Sequence, residues 1–184
     1  MSRPTSTTCA SASSVSAQLI VLIGPPGAGK TSVGKALAKL WDVGFRDTDA
    51  DVEQSAGQSV ADIFVEAGEP AFRELETAAV AIAIAEHEGV LALGGGAVMS
   101  PATQELLADQ QVVFLDVGVA QAMRRLGMNR SRPLLLGNVR GQWQKLAAAR
   151  RPVYERLATH VIGTDGQSVE EVVQQIVSQV KEQQ

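Results

Sequence analysis

The stretch LIVLIGPPGAGKTS, Leu19 to Ser32, is an apolar run rich in β-branched residues that breaks into glycines and ends on Lys-Thr-Ser. With Gln18 in front, the run to Ile23 suits a strand buried on both faces, and Thr31 to Trp41 switches to helical spacing. Between them, Gly24-Pro-Pro-Gly-Ala-Gly-Lys-Thr31 fits the pattern G-x-x-x-x-G-K-[ST] in the strand-to-helix position where that pattern has a mechanism. Its glycines let the backbone curl so that successive N–H groups point inward, and the following helix adds the positive end of its dipole. The anion predicted for this cradle is the phosphate chain of a nucleoside triphosphate with Mg²⁺. Gly27, Ala28, Gly29, Lys30, Thr31 and Ser32 are assigned to the nucleotide, with Lys30 bridging the β and γ phosphates and the Thr31 hydroxyl as a metal ligand.

Comparable apolar runs recur at Gly89 to Leu93, Val112 to Asp116 and His160 to Gly163, with a shorter one at Val43 to Arg46. Helical stretches fall between them. Ser59-Val-Ala-Asp62 and Ser168-Val-Glu-Glu171 have the hydroxyl-to-acid spacing of capping boxes. Glu69 to His87 is the longest helical candidate, with Pro70 tolerated in its first turn. Alternating strands and helices predict a parallel sheet covered on both faces. With no internal repeat or linker, 18–184 reads as one domain behind a Ser/Thr-rich flexible tail, 1–17.

Composition narrows the classes. A chain of 184 residues, 45% of them hydrophobic, can bury a sizeable core. The lone Cys9 permits no intramolecular disulfide and no cysteine metal cluster, which fits a reducing compartment. Met1 to Ala17 lacks the apolar core of a secretory signal, and its single Arg3 poorly suits a transit peptide. No run approaches the ~18 apolar residues of a membrane span. A net charge of -4, and aromatics at 4% that do not interleave with the arginines, argue against nucleic acid. Nine of the 16 lysines and arginines nevertheless lie between Arg124 and Arg156, against a single acid, Glu155. Charge alone favours a solvated helix face over a focused site for a multiply charged small anion.

Three further features bear on what receives the phosphoryl group. Asp47 and Asp49 follow a short strand; two apart on a strand, they would face one cavity at the sheet's carboxyl edge, one holding the metal's water shell and the other an acceptor hydroxyl and its proton. The alternative is a turn in which an Asp caps the next helix. Gly94, Gly95 and Gly96 either expose backbone N–H groups to a ligand or serve a loop that needs positive φ. Arg73 is either a site residue or an ordinary ion-pair partner of Glu76.

In order and spacing, Gly24 to Thr31, Asp47-Thr-Asp49, Ala71-Phe-Arg-Glu-Leu-Glu76, Leu93-Gly-Gly-Gly-Ala97, Ser131-Arg-Pro-Leu-Leu135 and Arg150-Arg-Pro-Val-Tyr154 together resemble shikimate kinase, from about Gln18 to Val180. The resemblance implies an α/β fold: a three-layer P-loop architecture with a five-stranded parallel sheet, flanking helices and a mobile lid at about Met128 to Val139. It implies ATP-dependent phosphorylation of the 3-hydroxyl of shikimate, in the cytoplasm and by a monomer, on the way to chorismate and the aromatic amino acids. By it, Asp49 binds the ring hydroxyls and is the candidate base, Arg73 and Arg150 grip the carboxylate, and Gly94, Gly95 and Gly96 line the same pocket. Asp47 orients the Mg²⁺ water shell, Arg132 is the lid arginine over the transferring phosphate, and Arg125 flanks the adenine. The basic cluster then reads as lid and substrate clamp. Arg130 and Arg151 adjoin the matched arginines, and the choice between neighbours rests on Pro133 and Pro152. His87 and His160 read as structural, Trp41 and Trp143 as packing residues.

Rival readings are another small-molecule kinase of this fold, such as gluconate or adenylate kinase, and a nucleotide-dependent switch. The arginine pair with Asp49 favours a carboxylated polyol. The chain contains neither the N-K-x-D nor the D-x-x-G of a GTPase switch.

Overall fold

The computed structural model describes residues 19–127 and 138–181. The tail expected at 1–17 and most of the expected lid, with Arg130 and Arg132, lie outside the described residues. All five apolar runs are strands: β1 Ile20–Ile23, β2 Gly44–Asp47, β3 Gly89–Ala92, β4 Gln111–Asp116 and β5 His160–Gly163. They form one parallel sheet in the order β2-β3-β1-β4-β5. β1 lies at its centre, and all four of its residues are buried. β2 begins and ends one residue later than the sequence suggested, which brings Asp47 to the strand's last position, level with Ala92.

The helices are α1 Lys30–Trp41, α2 Thr48–Ala56, α3 Val60–Glu66, α4 Gly68–Glu86, α5 Pro101–Leu107, α6 Val119–Gly127, α7 Val139–Leu157 and α8 Val169–Lys181, with a short 3₁₀ turn at Ala97–Met99. Side chains alternate across a strand, and β1, β3 and β4 each feed two cores, while β5 gives Ile162 to one and leaves Val161 exposed. Ile20 and Leu22 join Val90, Val113, Leu115 and Ile162 beneath α1 and α8; Val21 and Ile23 join Leu91, Val112 and Phe114 beneath α4, α5 and Tyr154 of α7. A third, smaller cluster of Val52, Ile63, Phe72 and Ala79 holds α2 and α3 on α4.

The Ser168 capping box forms in full, Ser168 and Glu171 exchanging backbone-to-side-chain bonds at 2.7 and 3.2 Å; at the other, Ser59 Oγ accepts from Asp62 N–H at 3.2 Å and donates to Asp62 Oδ2 at 2.6 Å, so the return bond runs between side chains. α4, expected to be the longest helix, spans 19 residues, and α7 equals it despite an internal Pro152. No helix among the described residues is long and apolar enough to cross a membrane.

Every strand's carboxyl end finishes on one edge of the sheet, where Gly24, Asp47, Leu93 and Thr164 begin the loops. The layer that supports this edge can be tested away from it. Leu37 of α1 is fully buried beneath β1, so Leu37→Ala should lower stability by about 2–5 kcal/mol in urea unfolding. A loss under about 1 kcal/mol would mean that α1 does not pack as described.

Candidate active site

At the end of β1 the chain turns into α1 through Gly29, whose φ of 97° and ψ of 15° lie in the left-handed region that L side chains avoid. No side chain caps this helix, so its first N–H groups are directed at the loop's mouth. Lys30 folds back over the loop, donating to Gly24 O at 2.8 Å and Pro25 O at 3.3 Å. Thr31 Oγ1 donates to Asp47 Oδ2 at 2.9 Å, while Asp47 Oδ1 accepts the N–H of Asp49 at 3.1 Å.

Asp47 and Asp49 do share a cavity, but not by strand alternation. Asp47 ends β2 and caps α2, and Asp49 lies in that helix's first turn. The pair thus shares a cavity and caps a helix at once: one Asp47 oxygen caps α2 and the other meets Thr31. The cavity, about 250 Å³, is lined by Gly27, Gly29, Lys30, Thr31, Ser32, Asp47, Asp49, Leu93, Arg125 and Leu126. Ala28, expected among the nucleotide residues, is buried away from that lining, and its N–H closes a turn on Pro25 O at 3.2 Å. Arg125 lies across the loop, donating to the carbonyls of Gly27 and Ala28 and to the Thr164 hydroxyl, each at 3.1 Å, and to Thr164 O at 2.9 Å.

A second group adjoins this cavity through Asp49. None of Gly94, Gly95 and Gly96 has positive φ, so the alternative of a loop needing left-handed backbone is excluded. Their missing side chains make room for neighbours. A Cβ at Gly94 would strike the carboxylates of Asp49 and Glu76, one at Gly95 would press on Pro26, and one at Gly96 would strike the Arg73 guanidinium. Gly94 N–H donates to the buried Thr48 Oγ1 at 3.0 Å, and Gly95 O accepts from Arg150 Nη1 at 3.0 Å and Tyr154 OH at 2.5 Å.

Arg73 is paired as the ordinary reading foresaw, to Glu76 at 2.6 Å and Glu69 at 2.9 Å. Glu76, however, is 2% exposed. The two partners respond differently. Burial pushes the Glu76 carboxyl up despite Arg73, whereas the two carboxylates raise Arg73 further against its own desolvation. Arg73 therefore stays charged, and Glu76 is the member for which ionisation is costly.

The neighbouring arginines separate. Arg150 is buried and reaches the glycine loop, while Arg151 points to Asp116 with bonds of 3.0 and 2.8 Å and to Glu155 at 2.7 Å. Arg156 bonds Gln104 at 2.7 Å. The basic cluster is thus divided, and its lid-and-clamp reading does not extend to Arg151 or Arg156. His87 meets Val90 O at 3.1 Å, and His160 is buried in β5.

Sequence reasoning gave no role to Tyr154 or Thr48, treated Glu76 only as an ion-pair partner of Arg73 and Trp143 as packing alone. Trp143 is indeed buried, and its Nε1 also donates to Pro26 O of the phosphate loop at 2.9 Å. A signal was present in the spacing: 143, 150 and 154 recur at intervals that share one helix face.

The chain matches the family model described as shikimate kinase over residues 26–181. It is 52% identical to a shikimate kinase of Streptomyces coelicolor, covering 91% of this chain and 98% of that one. It is also 52% identical to a shikimate kinase of Saccharopolyspora erythraea, covering 87% and 92%. Among solved structures, the shikimate kinase of Acinetobacter baumannii in complex with shikimate superimposes with a TM-score of 0.88 at 32% identity, covering 92% and 96% of the two chains. The five-stranded parallel sheet with its flanking helices agrees with these matches, and the chain belongs to the shikimate kinase family.

Proposed function

We propose that the protein phosphorylates the 3-hydroxyl of shikimate with ATP, the reaction of its family, and that the residues gathered at the carboxyl edge divide the work. The observation that carries this reading is the position of Asp49, which lines the phosphate-loop cavity and also abuts the Gly94 loop, between a nucleotide half and an acceptor half.

On the nucleotide side, the N–H groups of Gly29, Lys30, Thr31 and Ser32 bind phosphate oxygens. Lys30 moves from the loop carbonyls to the β and γ phosphates, and Arg125 flanks the base. Thr31 and Asp47 present a hydroxyl and a carboxylate at one point, the hard oxygen donors that suit Mg²⁺, directly or through its water. Bound there, the ion would neutralise charge on the β and γ phosphates. On the acceptor side, shikimate carries a carboxylate at one end and hydroxyls at the other. Arg73 and Arg150 offer planar donors to the first, Asp49 an acceptor to the second, and the Gly95 and Gly96 backbone a close wall. Asp49 takes the hydroxyl proton as that oxygen bonds the γ phosphorus and the bond to the bridging oxygen breaks, releasing ADP. Arg132 is assigned by resemblance to the charge on the transferring group. A cytoplasmic monomer fits the lone cysteine and the family resemblance.

ADP formation from MgATP, measured with shikimate, gluconate, AMP or no acceptor, should depend on shikimate alone. Release with another acceptor would keep the fold and overturn the substrate. Asp49→Asn should retain nucleotide binding and lower kcat by about 10²-fold or more, and unchanged turnover would remove it as the base. Arg150→Ala should weaken shikimate binding by about 1.5–3 kcal/mol, whereas Arg151→Ala should leave it unchanged. The reverse pattern in a binding titration would move the clamp to Arg151.

A further inference from the structure

α7 touches both loops of the site with three side chains from one face. Trp143 Nε1 donates to Pro26 O at 2.9 Å, and about two and three turns further along Arg150 and Tyr154 both donate to Gly95 O. Trp143 belongs to the core beneath α1 and α8, Tyr154 to the core on the other side of the sheet. The helix therefore runs past the carboxyl edge from one layer to the other and meets each loop on the way. The two loops also lie against each other, since a Cβ at Gly95 would come within 3.3 Å of Pro26 Cδ and 3.5 Å of Gly24 O.

From this geometry we propose that Trp143 and Tyr154 are positioning residues for phosphoryl transfer: Tyr154 sets the acceptor loop, Trp143 sets the phosphate loop, and one rigid helix thereby fixes their separation. The proposal rests on the acceptor reading of Gly94 to Gly96 given above. In a trans peptide the carbonyl and the following N–H point oppositely. With Gly95 O held against α7, the Gly96 N–H is directed away from it, and the Arg73 guanidinium occupies the space that a Gly96 side chain would take. A single donor would leave this plane free to rock; two donors from different rotamers restrain it. Arg150 alone would have to serve both the loop and the substrate carboxylate, and the Tyr154 hydroxyl shares the first duty.

Tyr154 is built for that task. It is 1% exposed and its ring stacks on Phe114 with centroids 5.1 Å apart. Burial pushes its hydroxyl up to about 12, so it keeps its proton, and its capacity to donate, at neutral pH. Trp143, whose indole can only donate, suits the Pro26 carbonyl. Phenylalanine at 154 keeps the packing and removes only the donor, whereas at 143 it removes the donor together with one ring of the buried indole.

The test is steady-state kinetics of Tyr154→Phe and Trp143→Phe, with both substrates varied and the thermal midpoint recorded. Tyr154→Phe should raise the shikimate KM roughly tenfold, about the effect of one lost buried hydrogen bond, and leave the MgATP KM within about twofold. Trp143→Phe should show the opposite split, and it carries the test if Tyr154→Phe fails to fold. A merely structural role would move both KM values together with the thermal midpoint, and that result, or two unmoved KM values, overturns the proposal. If the unaltered protein shows no shikimate-dependent ADP release, the acceptor reading falls and this inference with it. Shikimate dependence with unsplit KM values sinks only the inference.

Discussion

The pairing of β1 with β3 on one side and β4 on the other sets where every functional group begins. Leu22 is level with Ala92 and with Val113, and its carbonyl accepts the N–H of Leu93 at 3.1 Å. That bond starts the glycine loop one residue beyond β3, at the height where Gly24 starts the phosphate loop beyond β1. A slip of one residue would exchange the two faces of the strand and turn Ile20 and Leu22 out of their core. Because β1 is buried on both faces, slippage is opposed by burial on each side at once. The relative height of donor and acceptor loops is therefore a consequence of core packing rather than of the loops themselves.

Against that rigid edge, the acceptor half carries a cost. Glu76 is buried with its carboxyl pushed up, and only Arg73 and the nearby Arg150 oppose the desolvation. Breaking a buried pair by removing its cation typically costs about 3–5 kcal/mol, because the carboxylate is left uncompensated. Arg73 thus has a structural duty as well as a proposed substrate duty, and a loss of shikimate affinity on its removal would mix the two. Arg150 differs, because it donates to a backbone carbonyl that Tyr154 also holds. A neutral Gly95 carbonyl left with one donor is a much smaller disturbance than an orphaned carboxylate.

The sequence made the architecture legible through features that act locally. Five apolar runs bounded by glycines or polar turns became five strands, and the phosphate loop was readable because its glycines, lysine and threonine are contiguous. What escaped was set by distance along the chain. Tyr154 meets a carbonyl 59 residues away and Trp143 one 117 residues away, so neither could gain a role before the chain was folded. Asp47 and Asp49 were expected to face one cavity for the wrong reason: the strand runs one residue further and the helix starts at once, so a corner does what alternation was expected to do. The arginine cluster also misled, because charge counts carry no direction. Arg150 and Arg151 are adjacent in sequence and about 100° apart around a helix, so one enters the site while the other pairs with Asp116 on β4.

That angular separation gives α7 its place in the molecule. Its outward arginine is anchored to the end of β4 by two bonds to Asp116, and the same guanidinium lies over the Phe114 ring. Phe114 in turn stacks on Tyr154. The helix is thus fixed to the sheet from both sides of the residue that reaches Gly95, and the sheet is also what fixes the phosphate loop. Reacting groups in phosphoryl transfer must be brought within about 3–3.5 Å and in line, a tolerance that long, separately anchored loops meet poorly. Here the two loops share one frame through β1 and are cross-braced through α7. α7 also begins at Val139, a few residues after Arg132 in sequence, so the helix that braces the two loops is the one into which the arginine-bearing segment leads.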